Sequence, residues 1–256
     1  MPNAKELTID TNFFKAFCIG DFGTGKSVFA SSFPTPGYVF DFDNGIETFI
    51  GKDFEYDQFQ LSPTGWVAFE KKYIEIKKRA EAGEFKTVIL DSTTTMTDVA
   101  MERALQLDPK RTTTGGPMWN VHYQMVRNLM EPKLRGIFNL PCHIVMNGHL
   151  EIIMDQETGA IIGAEPLLTG RLRKSVPGYF SEVYYFFTKM KEGKVQYVLR
   201  TVPRGYYKAR SRISGEARVL PDEVANSYHA IRAAYDKGKE ALEKKTASAA
   251  GTVAKT

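Results

Sequence analysis

The sequence predicts an α/β fold: a mostly parallel central sheet flanked by helices, followed by antiparallel hairpin strands towards the C-terminus. Three observations carry this. Uninterrupted apolar runs alternate with helical patterns through the first 150 residues, and strands that are apolar on both faces belong in a parallel sheet covered from both sides. Past residue 148 the runs instead come in pairs around short polar turns, as hairpins do. A glycine-rich segment joins the first apolar run directly to the first helical pattern.

Phe14–Ile19 reads as a buried strand that ends at Gly20, and a helix from Lys26 to about Ser32 follows the glycine-rich turn. Tyr38–Phe42 is the second strand, closed by Asp43-Asn44-Gly45, residue types that favour turns. Pro63–Ala82 suits a helix whose lysines form a solvated face. Thr87–Leu90 is a third buried strand ending at Asp91, with a helix over Met96–Leu107 after it. The polar loop Asp108–Pro117 leads to an amphipathic stretch, Asn120–Phe138, which Pro132 can kink or divide. Cys142–Asn147 is the fourth strand. Leu150–Asp155 with Ala160–Gly163, and Val183–Lys189 with Val195–Val202, are the hairpin pairs, and Pro221–Lys245 reads as the closing helix. One domain over residues 1–245, with a small polar tail over 246–256 expected to be disordered, accounts for the 256 residues.

With 43% hydrophobic and 25% charged residues, the composition excludes a disordered chain, a collagen and a small disulfide scaffold. No apolar run reaches the roughly 18 residues of a membrane span. The N-terminus lacks the basic flank and apolar stretch of a secretory signal, so a cytoplasmic protein is expected, with no membrane partner. Cys18 and Cys142 lie inside apolar runs and read as core thiols of a reducing compartment. The net charge of +4 averages two unlike parts: Glu165–Arg218 holds +8 and the remainder −4. Such asymmetry points to a polyanionic partner.

Gly20-Asp21-Phe22-Gly23-Thr24-Gly25-Lys26-Ser27 fits G-x-x-x-x-G-K-[ST] in full, and it sits between a strand and a helix as that motif requires. The glycines allow a tight turn whose N–H groups face phosphate oxygens at the positive end of a helix. Lys26 would reach the β- and γ-phosphates and the Ser27 hydroxyl would ligate Mg²⁺. Asp91, at the end of an apolar strand, is placed to hold Mg²⁺ through water. No carboxylate partner follows it, since residue 92 is serine, so another acid must polarise the attacking water. Asp43 is the better candidate because it closes the strand after the phosphate-loop helix; Asp41, two residues earlier, is its competitor. The absence of an Asn-Lys-x-Asp guanine-reading sequence argues against a GTPase. A small-molecule kinase stays open, with Arg171–Lys174 as its basic lid.

This order of motifs, from about Phe14 to Arg212, resembles the RecA/RadA-type recombinase core, and within it the phage RecA-like ATPases of the Sak single-strand-annealing group. The resemblance implies a RecA-like P-loop NTPase using ATP and Mg²⁺. The family's catalytic carboxylate, within an Asp-x-Glu sequence, falls on Asp43 of Asp41-Phe42-Asp43; the shorter side chain puts fast hydrolysis in doubt. The strand-end aspartate falls on Asp91. A polar γ-phosphate sensor after the fourth strand falls on His149, with Asn147 as alternative. The DNA-facing loops fall on Gln106–Met118, where Lys110 and Arg111 supply charge, and on a region starting near Leu150. Tyr206–Arg212 is similar to the family's Lys-Asn-Arg motif, so Lys208 and Arg210 would reach the nucleotide of an adjacent subunit in a ring or filament.

The expected function is therefore an ATPase that assembles on single-stranded DNA and promotes annealing or recombination, with Arg171, Arg173 and Lys174 as further DNA contacts. A single-stranded DNA-binding protein is a candidate partner, and the resemblance implies a phage protein acting in the bacterial host cytoplasm. The alternatives are the phosphotransferase above and a nucleotide-gated assembly factor with little turnover.

Overall fold

Residues 13–212 and 220–253 are described by the computed structural model. The phosphate-loop strand, β1 (Lys15–Gly20), lies in the middle of an eight-stranded sheet. Strand β5 (His143–Gly148) flanks it on one side, followed outward by β4 (Thr87–Asp91), β2 (Gly37–Asp41) and β3 (Phe54–Gln58), all parallel. On its other side β8 (Glu182–Lys191) pairs parallel to β1, and β9 (Lys194–Arg200) and β10 (Glu223–Ala225) continue antiparallel. Strands β6 (Leu150–Met154) and β7 (Ile161–Pro166) form a separate two-stranded hairpin.

The sheet is covered as its composition requires. One face packs against α2 (Pro63–Glu81), α3 (Thr93–Leu107), α4 (His122–Phe138) and α5 (Leu172–Tyr179). The other packs against α1 (Lys26–Ala30) and α6 (Tyr228–Val253). Alternation along β1 serves both: Phe17 and Ile19 enter the first core, Ala16 and Cys18 the second. Phe69 of α2 is central to the first, with its ring 5.3–5.6 Å from those of Phe40, Phe42 and Phe59 and 5.2 Å from Trp66. Both cysteines are free and buried.

Several elements depart from the sequence reading. Strand β3 went unforeseen because Phe54-Glu55-Tyr56-Asp57-Gln58 is largely polar; it is the sheet edge, half exposed, and needs no apolar run. Helix α3 starts at Thr93, before the expected Met96, because the Ser92 side chain caps it by accepting from Thr95 N–H. Helix α4 passes through Pro132 unbroken. The helix expected from Pro221 starts at Tyr228, since Glu223–Ala225 pair with Val198–Arg200 as β10. It also runs past Lys245 to Val253, through Ala247, Ala249 and Ala250, the residue type of highest helix propensity, within the expected tail. The segment 172–179, which had no assigned structure, is α5, held by buried Leu172 and Val176.

Truncating Phe69 to alanine should cost about 3–5 kcal/mol, the usual range for a buried phenylalanine. Urea unfolding checks this: the midpoint should fall with the slope unchanged.

Candidate active site

Because β1, β2, β4 and β5 are parallel, they finish at one edge of the sheet. Register places Asp41 opposite Asp91 and Ile19 opposite Gly148. Gly20, Asp43, Asp91 and His149 are brought together in this way from four distant stretches of chain.

The loop leaves β1 at Gly20, where a Cβ would stand 2.6 Å from the Phe186 carbonyl oxygen of β8; only glycine fits. Gly25 turns into α1 at φ 88°, a left-handed conformation, with Asn226 packed where a side chain would go. Within the loop, Thr24 Oγ1 donates to the Asp21 carbonyl at 2.7 Å. Lys26 is only 6% exposed, and its ammonium donates to the carbonyls of Gly20 (2.9 Å) and Asp21 (2.8 Å). A third N–H remains for a phosphate oxygen. Burial lowers the Lys26 pKa, while the carboxylates of Asp91 and Asp43 favour its charge.

Ser27 Oγ donates to Asp91 Oδ2 at 2.6 Å, joining the phosphate loop to β4 across the intervening β5. Burial drives the Asp91 pKa up and the repulsion of Asp43 adds to it, against the hydrogen bond from Ser27 and the adjacent Asn147 amide. Asn147 is fully buried on β5, and neither its amide nitrogen nor its amide oxygen makes a hydrogen bond of good geometry. Among the described residues no cluster of three or more His, Cys, Asp or Glu could hold a metal. A hydroxyl and one carboxylate are nevertheless the hard oxygen donors suited to Mg²⁺, which keeps several waters and takes phosphate oxygens for the rest. The site thus fits Mg²⁺ bound together with a nucleotide.

Asp43 is clamped. Its Oδ1 accepts from Ser92 Oγ at 2.9 Å and from Thr95 Oγ1, and its Oδ2 lies 3.2 Å from His149 Nε2. Burial alone would raise the Asp43 pKa, but the hydrogen bonds from His149, Thr95 and Ser92 and the attraction of His149 outweigh it and hold it low. His149 is itself positioned by its N–H, which donates to Thr94 Oγ1 at 3.0 Å. Asp41 points elsewhere: it accepts from Gly45 N–H (3.1 Å) and Gln58 Nε2 (3.0 Å), supporting the turn and the edge strand. Lys26, Ser27, Asp43, Asp91 and His149, with Thr48 and Tyr197, line a cleft of about 320 Å³. Sequence reasoning missed Ser92 and Thr95 as partners of Asp43; an ordinary helix-capping pair at 92 and 95 was the available signal. Nothing local pointed to Tyr197, which arrives from β9.

The remaining candidates lie elsewhere. Arg210 Nη2 donates to the carbonyls of Pro177 and Phe180, both at 2.6 Å, and so caps the end of α5 within its own chain. Lys208 is exposed, 3.4 Å from Glu165. Arg173 pairs with Glu151 at 3.1 Å and Glu165 at 3.7 Å. Arg171, at the N-cap of α5, and Lys174, in its first turn, are exposed, while Leu172 and Val176 anchor that helix in the core. In the loop before α4, Lys110 is exposed and Arg111 donates to the carbonyls of Leu105, Asp108 and Lys110. Glu216 and Arg218 of the basic stretch lie outside the described residues.

The AAA_24 family model, described as an AAA domain, matches residues 12–213. Among solved structures the chain is similar to a KaiC-like protein from the archaeon Pyrococcus horikoshii OT3. Identity is 11% and the TM-score 0.42, over 77% of this chain and 81% of that one. It is also similar to the flagellar accessory protein FlaH from Methanocaldococcus jannaschii, with 10% identity and a TM-score of 0.40 over 82% and 83%. No curated protein matches the sequence.

Two outcomes follow from the carboxylates. Asp43 has a folded pKa below the ordinary 3.8, so its stabilisation is complete above that value and is lost as pH falls through the lower folded one. Asp43→Asn should therefore destabilise at neutral pH, with the Tm gap to wild type closing below pH 3.8. Asp91 is the opposite case, its pKa raised in the fold, so its charge costs stability at neutral pH. Asp91→Asn should raise the Tm of the protein alone and remove the further rise that Mg²⁺ with ATP gives wild type, as thermal unfolding with and without ligand will show.

Proposed function

The chain belongs to the AAA_24 family, and from the site it carries we propose that it hydrolyses ATP with Mg²⁺ while assembled on single-stranded DNA. The observation that carries the hydrolytic part is the convergence of Lys26, Ser27, Asp91, Asp43 and His149 on one cleft. Lys26, with the loop N–H groups, would bind the phosphates. Ser27 and Asp91 would hold Mg²⁺, which supplies charge neutralisation when bound. Asp43 would orient and deprotonate the attacking water, and His149, hydrogen-bonded to it, would sense the terminal phosphate.

The clamp on Asp43 bears on rate. A carboxylate that accepts three donors and has a lowered pKa is a weak base, and turnover through it is slow until His149 or a hydroxyl lets go. This favours the second reading, a nucleotide-gated assembly factor, as the limiting case. The DNA part rests on the basic stretch from residue 165 to 218 and on the exposed Lys110, Arg171 and Lys174. The ring or filament, annealing or recombination as outcome, and a place among phage single-strand-annealing ATPases belong to the same proposal. Lys208 is the residue available to reach a neighbouring subunit's nucleotide; Arg210 would first have to leave α5.

ATPase rate with and without single-stranded DNA tests both readings. Lys26→Ala should abolish turnover, and Asp43→Ala should lower kcat by about 10²–10⁴-fold, the usual worth of a general base. Equal rates in wild type and Asp43→Ala would remove Asp43 as base. Anisotropy of a labelled single strand should show binding that weakens steeply with salt, because counterion release drives it; binding that ignores salt would remove the DNA reading.

A further inference from the structure

A cavity of about 190 Å³ lies on the α5 side of the sheet and shares no lining residue with the phosphate cleft. Its floor is apolar: Ile19 of β1, Ala164 of β7 and Val183 of β8 are all buried there. Tyr185 of β8 forms a wall. That ring is fixed by stacking on Tyr207, with centroids 4.2 Å and planes 17° apart. The rim carries three cations, Arg173, Lys174 and Lys208, against one carboxylate, Glu165. Arg173 and Lys208 both turn to Glu165, at 3.7 and 3.4 Å. Lys174 is exposed and has no ion-pair partner among the described residues.

We infer that this cavity takes one pyrimidine base of a bound single strand, with Lys174 on a flanking phosphate. The inference rests on the DNA part of the proposed function and adds a base contact to it. Size limits the occupant first. An apolar cavity of about 150 Å³ takes a benzene ring, so this one admits a single ring while sugar and phosphate stay outside. Charge limits it next: cations outnumber the carboxylate around an apolar floor, which suits a ring that arrives joined to anions. A single strand offers that combination, a flat apolar base to bury and a phosphate on either side of it. Lys174 is the cation placed to meet the phosphate, because Arg173 and Lys208 are already engaged with Glu165. The Tyr185 ring, held by Tyr207, gives the base an aromatic surface that does not have to be ordered on binding.

Anisotropy of the full chain, with ATP and Mg²⁺, on labelled oligothymidine and on an abasic strand of equal length tests the assignment. Both strands carry the same phosphates, so counterion release contributes equally and the difference reports the bases. Wild type should bind oligothymidine about tenfold or more tightly, the usual worth of one held base. Ala164→Leu, which fills the cavity, should erase that preference and leave abasic binding unchanged. Lys174→Ala should weaken both strands by the same factor; no effect on either removes the phosphate contact. Where Ala164→Leu does not fold, Tyr185→Leu should lose the preference and Tyr185→Phe, which keeps the ring, should retain it. A preference absent from wild type, or surviving in Ala164→Leu or Tyr185→Leu, overturns the base assignment and leaves the DNA reading standing. Displacement of the strand by an equal concentration of thymidine monophosphate also overturns it, giving the cavity to a free nucleotide. If neither strand binds, the DNA reading itself falls and the cavity assignment with it.

Discussion

Parallel pairing of β2, β4, β5, β1 and β8 is the constraint on which the site depends. Strands running the same way bring their C-terminal ends to one edge, so a glycine loop, two carboxylates and a histidine far apart in sequence become neighbours. The order matters as much as the direction. With β5 between β1 and β4, the phosphate loop and Asp91 stand a strand apart, leaving room for Asn147 and His149 between them. The Ser27–Asp91 hydrogen bond then spans that gap and sets the distance across which Mg²⁺ would be held.

Electrostatically the two carboxylates are tuned in opposite directions, and burial is the first influence on both. For Asp91 it prevails, because few donors reach a carboxylate at the bottom of the sheet edge, and the charge is carried at a cost. For Asp43, three donors from α3 and the end of β5 overcome it. Lys26 stands between them, its charge favoured by both. A cation beside Asp91 would relieve the cost of its charge. Under the proposed hydrolytic reading Asp43 would first have to loosen its hydrogen bonds, so that affinity for the metal-bound nucleotide and the rate of its hydrolysis would be set separately.

The basic stretch also looks different once folded. Arg173 and Lys208 converge on Glu165, Arg200 and Lys189 on Glu223, and Arg210 on the α5 carbonyls. Part of the +8 is therefore used inside the chain, to fasten α5, β7 and the β8–β9–β10 edge. Exposed cations such as Lys174 and Arg171, rather than the whole stretch, are the ones that the proposed polyanion would meet.

Read alone, the amino-acid order determined the strand–loop–helix at Gly20–Ser27, the buried strands ending at Asp91 and near Asp43, both hairpins and the buried thiols of Cys18 and Cys142. Each of these is a local matter of apolar runs, glycine conformations and turn residues, which short-range physics dictates. It left open which of Asp41 and Asp43 faces the site, because two residues on one strand face are chemically alike until their partners are known. Gln58, on an edge strand too polar to foresee, takes Asp41; Ser92, Thr95 and His149, on two other elements, take Asp43. Arg210 was likewise legible as a cation but not as the cap of a helix whose existence depends on Leu172 and Val176 finding the core. Partnerships across long sequence separations are set by strand order and packing, and only the tertiary structure decides those.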